Sequence, residues 1–106
     1  MLQQVQQFHD KHRLSETGGE DLTHRIALMA EELGEISACI TKGRPADELA
    51  EEVADLFILV IGTAIAAKFD LNQAFWDKME RLMQRESRVI NGTTRVSEFH
   101  DQSGDS

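Results

Sequence analysis

The chain has 106 residues and a net charge of −8, with 41% hydrophobic and 28% charged residues. This length corresponds to one domain, and the acidic balance argues against a duplex-binding protein, because that function depends on Lys and Arg side chains that neutralise phosphates. A single cysteine excludes an internal disulfide framework, whereas a phosphorylated small molecule bridged by a divalent metal is compatible with the charge.

The first two predicted helices are separated by a pair of glycines. The first helix spans about residues 2–12 and places Leu2, Val5 and Phe8 on one face. After Gly18-Gly19, Asp21 is the expected N-cap of the second helix. The apolar residues of that helix alternate spacings of four and three, which is helical periodicity, and they predict its core face: Leu22, Ile26, Met29, Leu33, Ile36 and Ile40.

The third and fourth predicted helices are bounded by residues typical of helix ends. Gly43 can adopt the left-handed conformation that ends the second helix, and Pro45 opens the third. Asp70 and Gln73 resemble a capping box for the fourth helix, which should run to about Arg85. The predicted core face of the third helix also has spacings of three and four: Leu49, Val53, Leu56, Val60 and Ala64.

The longest apolar run lies inside the third predicted helix, at residues 56–67. Its 12 residues would span roughly 18 Å as a helix, short of the roughly 30 Å hydrocarbon core of a membrane. The polar residues at the start of the chain do not resemble a signal peptide. We therefore expect a buried helix in a cytoplasmic protein.

These elements predict an all-α fold in which one subunit is a four-helix bundle. Residues 1–88 would form the helical domain, and residues 89–106 a polar C-terminal tail. The segment from Ser87 onward is expected to be extended or disordered, and no convincing strand is predicted. Because the third helix is apolar almost all round, we expect subunits to associate.

Two acidic segments interrupt the apolar pattern of the second and third helices: EELGE at residues 31–35 and EEVAD at residues 51–55. On the second helix, Glu32 and Glu35 project on the same side, and Glu52 and Asp55 form an equivalent pair on the third. Such pairs also occur by chance on solvated helix faces. A short connection at residues 43–45 favours antiparallel packing, which would bring the two pairs opposite each other.

Four carboxylates that converge in a partly buried site repel one another unless a cation or protons intervene. A cluster made only of carboxylate oxygens suits the hard cations Mg²⁺ and Mn²⁺. Zinc is disfavoured because no Cys or His accompanies the cluster, and a di-iron site would require Glu-x-x-His motifs that the chain lacks.

The two acidic segments, with a gap of 16 residues between Glu35 and Glu52, resemble the E-E-x-x-E…E-x-x-D signature of MazG-like nucleoside triphosphate pyrophosphohydrolases. These belong to an all-α superfamily that includes dimeric dUTPases and phosphoribosyl-ATP pyrophosphohydrolase. The resemblance covers roughly residues 5–85, including the segments VQQFHDKH, IALMAEELGEISACI and ELAEEVADLFILVIGTAIAAKFDLNQAF. It implies Mg²⁺-dependent cleavage of a nucleoside triphosphate to monophosphate and pyrophosphate, in a homodimer or homotetramer that removes surplus nucleotides.

The resemblance also implies roles for individual residues. The metal ligands would be Glu32, Glu35, Glu52 and Asp55, and Glu31 would be the catalytic residue, whether it orients a water, accepts its proton or supports the ligands. Family members carry a Lys followed four residues later by Asn; here Lys78 is followed by Leu82, which makes Arg81 or Arg85 a substitute for contacting phosphate.

Aromatic and histidine side chains are the candidates for contact with the base. The resemblance would place Phe8, His9 and His24 at a base pocket, and the ring of Trp76, the only tryptophan, could stack on a base. Core packing is the competing explanation for the aromatic residues, and ordinary surface positions for the histidines.

The alternative of a different class is a non-catalytic acidic helical module that binds a partner's basic surface. A phosphoribosyl-ATP activity is a further alternative within the superfamily. The sequence leaves open the preferred base and sugar, the number of metal ions, the phosphorus attacked, the choice between dimer and tetramer, and the role of the tail.

Overall fold

The computed structural model describes residues 1–90 and 93–97, with side chains described through residue 85. Within these residues the helices are α1 (Leu2–Lys11), α2 (Leu14–Thr17), α3 (Leu22–Thr41), α4 (Ala46–Ala67) and α5 (Leu71–Met83). Two strands follow, β1 (Glu86–Ile90) and β2 (Thr93–Ser97). The chain divides into two compact units, one comprising residues 1–69 and the other beginning at residue 70.

The prediction of an all-α fold is confirmed through residue 85. The segment that follows was expected to be extended or disordered, and the prediction that it holds no strand is wrong. There β1 and β2 pair antiparallel, with Glu86 opposite Ser97 and Ile90 opposite Thr93. The physical reason is visible in the sequence, because Val, Ile and Thr, which favour strands, flank the hairpin-type dipeptide Asn91-Gly92. The domain division predicted at residue 88 falls inside β1, and residues 98–106 of the predicted tail lie outside the described residues.

Two helix starts follow the predicted capping residues. Asp21 Oδ1 accepts hydrogen bonds from the backbone N–H groups of Thr23 (2.8 Å) and His24 (3.2 Å). Asp70 Oδ1 accepts from the N–H of Gln73 at 3.0 Å. The Gln73 side chain donates to Asp77 instead of returning to the cap, so the capping box is half formed. Asp21 and Asp70 thereby satisfy N–H groups that have no partner within their helices.

The predicted boundaries differ from the structure in two places. The fourth predicted helix, α5, ends at Met83 rather than near Arg85. The four-residue helix α2 was not predicted, because so short an element shows no periodicity; it lies between Arg13 and Gly18, both with left-handed backbone.

Helices α3 and α4 are antiparallel and form the main packing contact of the first unit. Gly43, with φ of 63°, ends the turn after α3, and Pro45 caps α4. Arg25, near the start of α3, donates to the carbonyl of Leu59, which lies in the second half of α4. The short connection therefore folds the two helices back on each other, as the sequence predicted.

The face of α3 that packs within the first unit coincides only in part with the predicted core face, of which Met29 and Ile36 are half-buried. Arg25 and Cys39 are buried, whereas Leu22, Ile26, Leu33 and Ile40 are exposed. On α4, Ile61, Gly62 and Ala64 are buried, but Val53 and Val60 of the predicted core face are exposed. Apolar periodicity identified which residues share a face but not which neighbour covers that face. The four-helix bundle and the oligomer stay predictions.

A helix that crosses a membrane must be both long and apolar. Among the described residues, no helix combines the length and the apolar composition that a crossing would need.

Candidate metal centre

The carboxyl groups of two facing helices converge in the first unit. Glu32 of α3, Glu52 of α4 and Asp55 of α4 each place one oxygen within 4.8 Å of the oxygens of the other two. The carboxyl group of Glu35, one turn beyond Glu32 on α3, lies close enough to that of Glu52 to raise the pKa of Glu52. We call Glu32, Glu35, Glu52 and Asp55 the acidic cluster.

The local sequence explains this convergence. Residues three apart on a helix lie on the same side, so Glu32 and Glu35 face one way on α3, and Glu52 and Asp55 do so on α4. The antiparallel arrangement then places one pair against the other. The sequence prediction that the two pairs meet in space is thus confirmed.

Two oxygens of the acidic cluster are buried without a hydrogen-bond partner among the described residues. They are Oε2 of Glu32 and Oε2 of Glu52, and both residues are half-buried. Glu35 and Asp55 are exposed, so the cluster also faces solvent. Buried polar atoms are normally paired, and an unpaired carboxylate oxygen therefore indicates that a proton or a cation belongs there.

The close approach of these carboxyl groups also affects their protonation. A hydrogen bond with Glu35, burial and the like charges of Glu35 and Glu32 raise the pKa of Glu52 from 4.5 to about 7. Burial, followed by repulsion from Glu35, also raises the pKa of Glu32. Near neutral pH, Glu52 therefore holds its proton part of the time unless a cation replaces it.

The residues of the acidic cluster fit a hard divalent cation. All four donors are carboxylate oxygens, which are the ligands preferred by Mg²⁺ and Mn²⁺. A cation would satisfy the two buried oxygens that lack a partner and relieve the repulsion that raises the pKa of Glu52. Since Glu35 and Asp55 are exposed, a phosphate group could reach the same cation from solvent.

An apolar pocket of about 650 Å³ adjoins the acidic cluster. Its walls come from α1 and α4, and Asp55 belongs both to the pocket and to the cluster. The other lining residues are Met1, Gln4, Val5, Phe8, Phe57, Ile58 and Ile61. A mostly apolar pocket with one amide side chain suits a flat, weakly polar ring, with charged groups of the same ligand directed to the cluster.

The comparison with protein families decides the assignment. The family model of the MazG nucleotide pyrophosphohydrolase domain matches residues 21–90, which is more than half of the chain. The chain belongs to this family. Searches of the curated proteins and of the solved structures returned no significant match.

The match covers every residue of the acidic cluster as well as α5, while α1 precedes it. MazG domains act on nucleoside triphosphates and typically depend on a metal, and the acidic cluster of this chain is a possible site for it. Glu31, the predicted catalytic residue, is exposed on α3 and is not part of the cluster.

The structure separates the base-contact candidates of the MazG domain. Phe8 is half exposed and lines the pocket, where its ring also lies 4.7 Å from that of His12. His9 is only 3% exposed and does not line the pocket, because its Nδ1 pairs with Glu20 Oε2 at 2.7 Å. His24 is exposed in the first turn of α3 and is also absent from the pocket lining.

The remaining candidates lie on α5, in the second unit. Lys78 and Arg81 are exposed on one side of the helix, and Arg85 is half-buried just beyond its end. Trp76 is 61% exposed and contacts Phe75 edge to face, with ring centroids 5.1 Å apart. Their roles in binding phosphate and base stay predictions.

A buried polar group that was not predicted joins α3 to α4 and to the turn before α3. Arg25 is 3% exposed and hydrogen-bonded to Gly19, Leu59 and Thr63. The available signal was the position of Arg25, seven residues before Glu32 and thus on the same face of α3. A lone Arg on a helix usually lies at the surface, so this position alone does not predict that Arg25 is buried.

Proposed function

We propose that this MazG domain hydrolyses nucleoside or deoxynucleoside triphosphates to the monophosphate and pyrophosphate, with Mg²⁺ as the cofactor and Mn²⁺ as a possible substitute. The observation that carries the proposal is the acidic cluster, in which two buried carboxylate oxygens lack a hydrogen-bond partner. Membership of the MazG family supports the reaction class. The biological role would be removal of surplus or non-standard nucleotides.

The four carboxylates of the acidic cluster would hold the cation, with Glu32 and Glu52 supplying the buried oxygens and Glu35 and Asp55 the exposed ones. When bound, Mg²⁺ neutralises the triphosphate and polarises the bond to be cleaved. Glu31 is exposed on the same helix, four residues before Glu35, where its carboxylate would accept a proton from the attacking water.

The apolar pocket supports a position for the nucleoside part of the substrate. Because Asp55 belongs to both the pocket and the acidic cluster, a ligand that spans the two would place its ring against Phe8 and its phosphates near the carboxylates. The Gln4 amide would then hydrogen-bond to the base. His9, which is buried and paired with Glu20, would support the wall without touching the substrate.

The basic residues of α5 would supply the positive charge that the triphosphate needs from the protein. Lys78, Arg81 and Arg85 recur at spacings of three and four. If they contact phosphate, Lys78→Gln and Arg81→Gln should raise the KM, while Lys42→Gln, a change at an exposed lysine after α3, should not. An equal KM in all three variants would contradict the assignment.

Exposed apolar residues on α3 and α4 support the predicted oligomer. Leu33 is 59% exposed and Ile40 63%, and Val53 and Val60 are exposed two turns apart on one face of α4. A second copy of the chain would cover these faces, as in the homodimer or homotetramer that we expect. Size-exclusion chromatography with light scattering tests this expectation, and a folded monomer would contradict it.

The decisive test is release of pyrophosphate from a panel of ribo- and deoxyribonucleoside triphosphates, with Mg²⁺ and with a chelator. Glu52→Gln should abolish release, whereas Glu51→Gln removes the same charge from an exposed neighbour and should retain it. Absence of release from every triphosphate, with the protein folded and metal present, would leave the acidic cluster as part of a binding module.

A further inference from the structure

Arg25 makes three hydrogen bonds, one to the turn before α3 and two to residues of α4 that are distant in sequence. Its Nη1 donates to the carbonyl of Gly19 at 3.0 Å and its Nη2 to the carbonyl of Leu59 at 2.8 Å. Its Nε donates to Oγ1 of Thr63 at 3.3 Å, and that hydroxyl donates in turn to the Leu59 carbonyl at 2.8 Å. The rigid guanidinium fork therefore fixes α3 against two adjacent turns of α4.

Gly62 provides the space that this arrangement requires. An added Cβ at Gly62 would lie 2.9 Å from Cζ of Arg25, closer still to Nη2, and 2.7 Å from Nε2 of His9. The guanidinium and the imidazole thus pack directly on the bare backbone of α4. Since His9 also pairs with Glu20, four segments of the chain meet at this point, and Arg25 has little freedom to move along α4.

The Arg25 contact and the acidic cluster follow one antiparallel register. Glu32 lies seven residues after Arg25 on α3, and Glu52 lies seven residues before Leu59 on α4. The two contacts are therefore two helical turns apart on both helices. A slip of α3 by one residue along α4 would displace Glu32 from Glu52 by about 1.5 Å and rotate its side chain by about 100°.

We propose that Arg25 is a positioning residue, whose hydrogen bonds to Leu59 and Thr63 fix the register of α3 against α4 and thereby the separation of the carboxylates that bind the metal. The inference rests on the proposed metal-dependent function, because it concerns the affinity of the acidic cluster for a cation. Arg25 is too deeply buried to contact the substrate, so its effect is transmitted through the backbone of the two helices.

The test measures the affinity for Mn²⁺ by titration calorimetry, well below the melting temperature of each variant. Arg25→Lys keeps the charge but loses the fork, and Arg25→Met removes both. Each should weaken Mn²⁺ binding by about tenfold, the lower end of the effect of residues that orient metal ligands. Arg44→Met, at an exposed arginine between α3 and α4, is the matched control and should bind as the wild type does.

A purely structural role would lower the melting temperature without changing the affinity of the folded protein. Folded Arg25 variants that bind Mn²⁺ within about twofold of the wild type, less than one hydrogen bond is typically worth, would therefore overturn the inference. If circular dichroism shows both variants unfolded, the Mn²⁺ affinity of Thr63→Val is measured instead, since this variant removes one hydrogen-bond acceptor of Arg25. An affinity for Mn²⁺ about threefold weaker than that of the wild type would support the inference, and an unchanged affinity would overturn it.

The same titrations distinguish this inference from the proposed function. A wild type that binds Mn²⁺ more tightly than its Arg25 variants but releases no pyrophosphate would contradict the function and support the positioning role. A wild type that hydrolyses triphosphates as its folded Arg25 variants do, with equal Mn²⁺ affinity, would overturn the positioning role alone. A wild type that binds no metal would overturn both.

Discussion

Glu35 of α3 and Glu52 of α4 hold their carboxyl groups close enough across the interface between the two helices for Glu35 to raise the pKa of Glu52. Two carboxyl groups make such an approach favourably only when one of them is protonated or a cation lies between them. The charge on this pair therefore links three properties of the protein: its stability, its response to pH and its affinity for metal.

Divalent metal should raise the melting temperature of the wild-type protein. At a concentration of about 100 times the dissociation constant, a ligand that binds only the folded state stabilises it by about 2.7 kcal/mol. Glu52→Gln should abolish the rise, because it removes a buried carboxylate oxygen that lacks a hydrogen-bond partner in the acidic cluster. Thermal melts with Mg²⁺ and with a chelator measure the effect.

Glu51→Gln is the matched control for this measurement. It removes one negative charge from the exposed neighbour of Glu52, so the metal-dependent rise should persist. A rise of equal size in Glu52→Gln would show that the metal binds elsewhere, and no rise in the wild type would favour the non-catalytic module.

Without metal, the protein should become less stable as the pH rises from about 4.5 to about 7. The folded state raises the pKa of Glu52 from 4.5 to about 7, so in this window the folded protein binds more protons than the unfolded chain does. The free energy of unfolding therefore falls as pH increases. Above pH 7, Glu52 is ionised in the folded protein, and its burial and its repulsion from Glu35 and Glu32 destabilise the fold in full.

Urea unfolding in chelator at a series of pH values measures this dependence. The fall in the free energy of unfolding between pH 4.5 and pH 7 that is due to Glu52 should disappear in Glu52→Gln and remain in Glu51→Gln. Metal competes with the same proton, so Mn²⁺ affinity should increase through the same window. A pH dependence identical in Glu52→Gln and the wild type would contradict the assignment of the raised pKa to Glu52.

The acidic cluster was predictable from sequence because its cause is local. Spacing of three residues fixed the side of each helix on which the carboxylates lie, and the short connection before Pro45 implied the antiparallel return. The packing of Arg25 was not predictable in this way, because it depends on which apolar face of α3 meets α4. That choice is made by partners remote in sequence, here the bare backbone of Gly62 and the carbonyl of Leu59.

Two helical glycines should respond in opposite directions to substitution by alanine. Gly62→Ala should destabilise the protein by about 1–3 kcal/mol, because its Cβ would collide with Arg25 and His9. Gly34→Ala has open space around its Cβ and should stabilise α3 by about 0.5–1 kcal/mol. Urea unfolding in chelator measures both, and a neutral Gly62→Ala would show that the buried guanidinium can move away.

Substitutions of the neighbouring residues Phe8 and His9 should affect different properties, substrate binding for Phe8 and stability for His9. Phe8 lines the pocket beside Asp55, so Phe8→Ala should raise the KM for the preferred triphosphate by about tenfold, since stacking on a base contributes about 1–3 kcal/mol. His9 is buried against Gly62 and paired with Glu20, so His9→Ala should lower the melting temperature and leave the KM of the folded protein unchanged.

Steady-state kinetics below the melting temperature of both variants, together with thermal melts, measure the two effects. Phe8→Leu is the useful control, because it retains apolar volume but not the flat ring that stacks on a base. If Phe8→Leu keeps the wild-type KM, the pocket recognises its ligand by burial alone. A raised KM in His9→Ala with an unchanged KM in Phe8→Ala would reverse the assignment and place the base on the other side of α1.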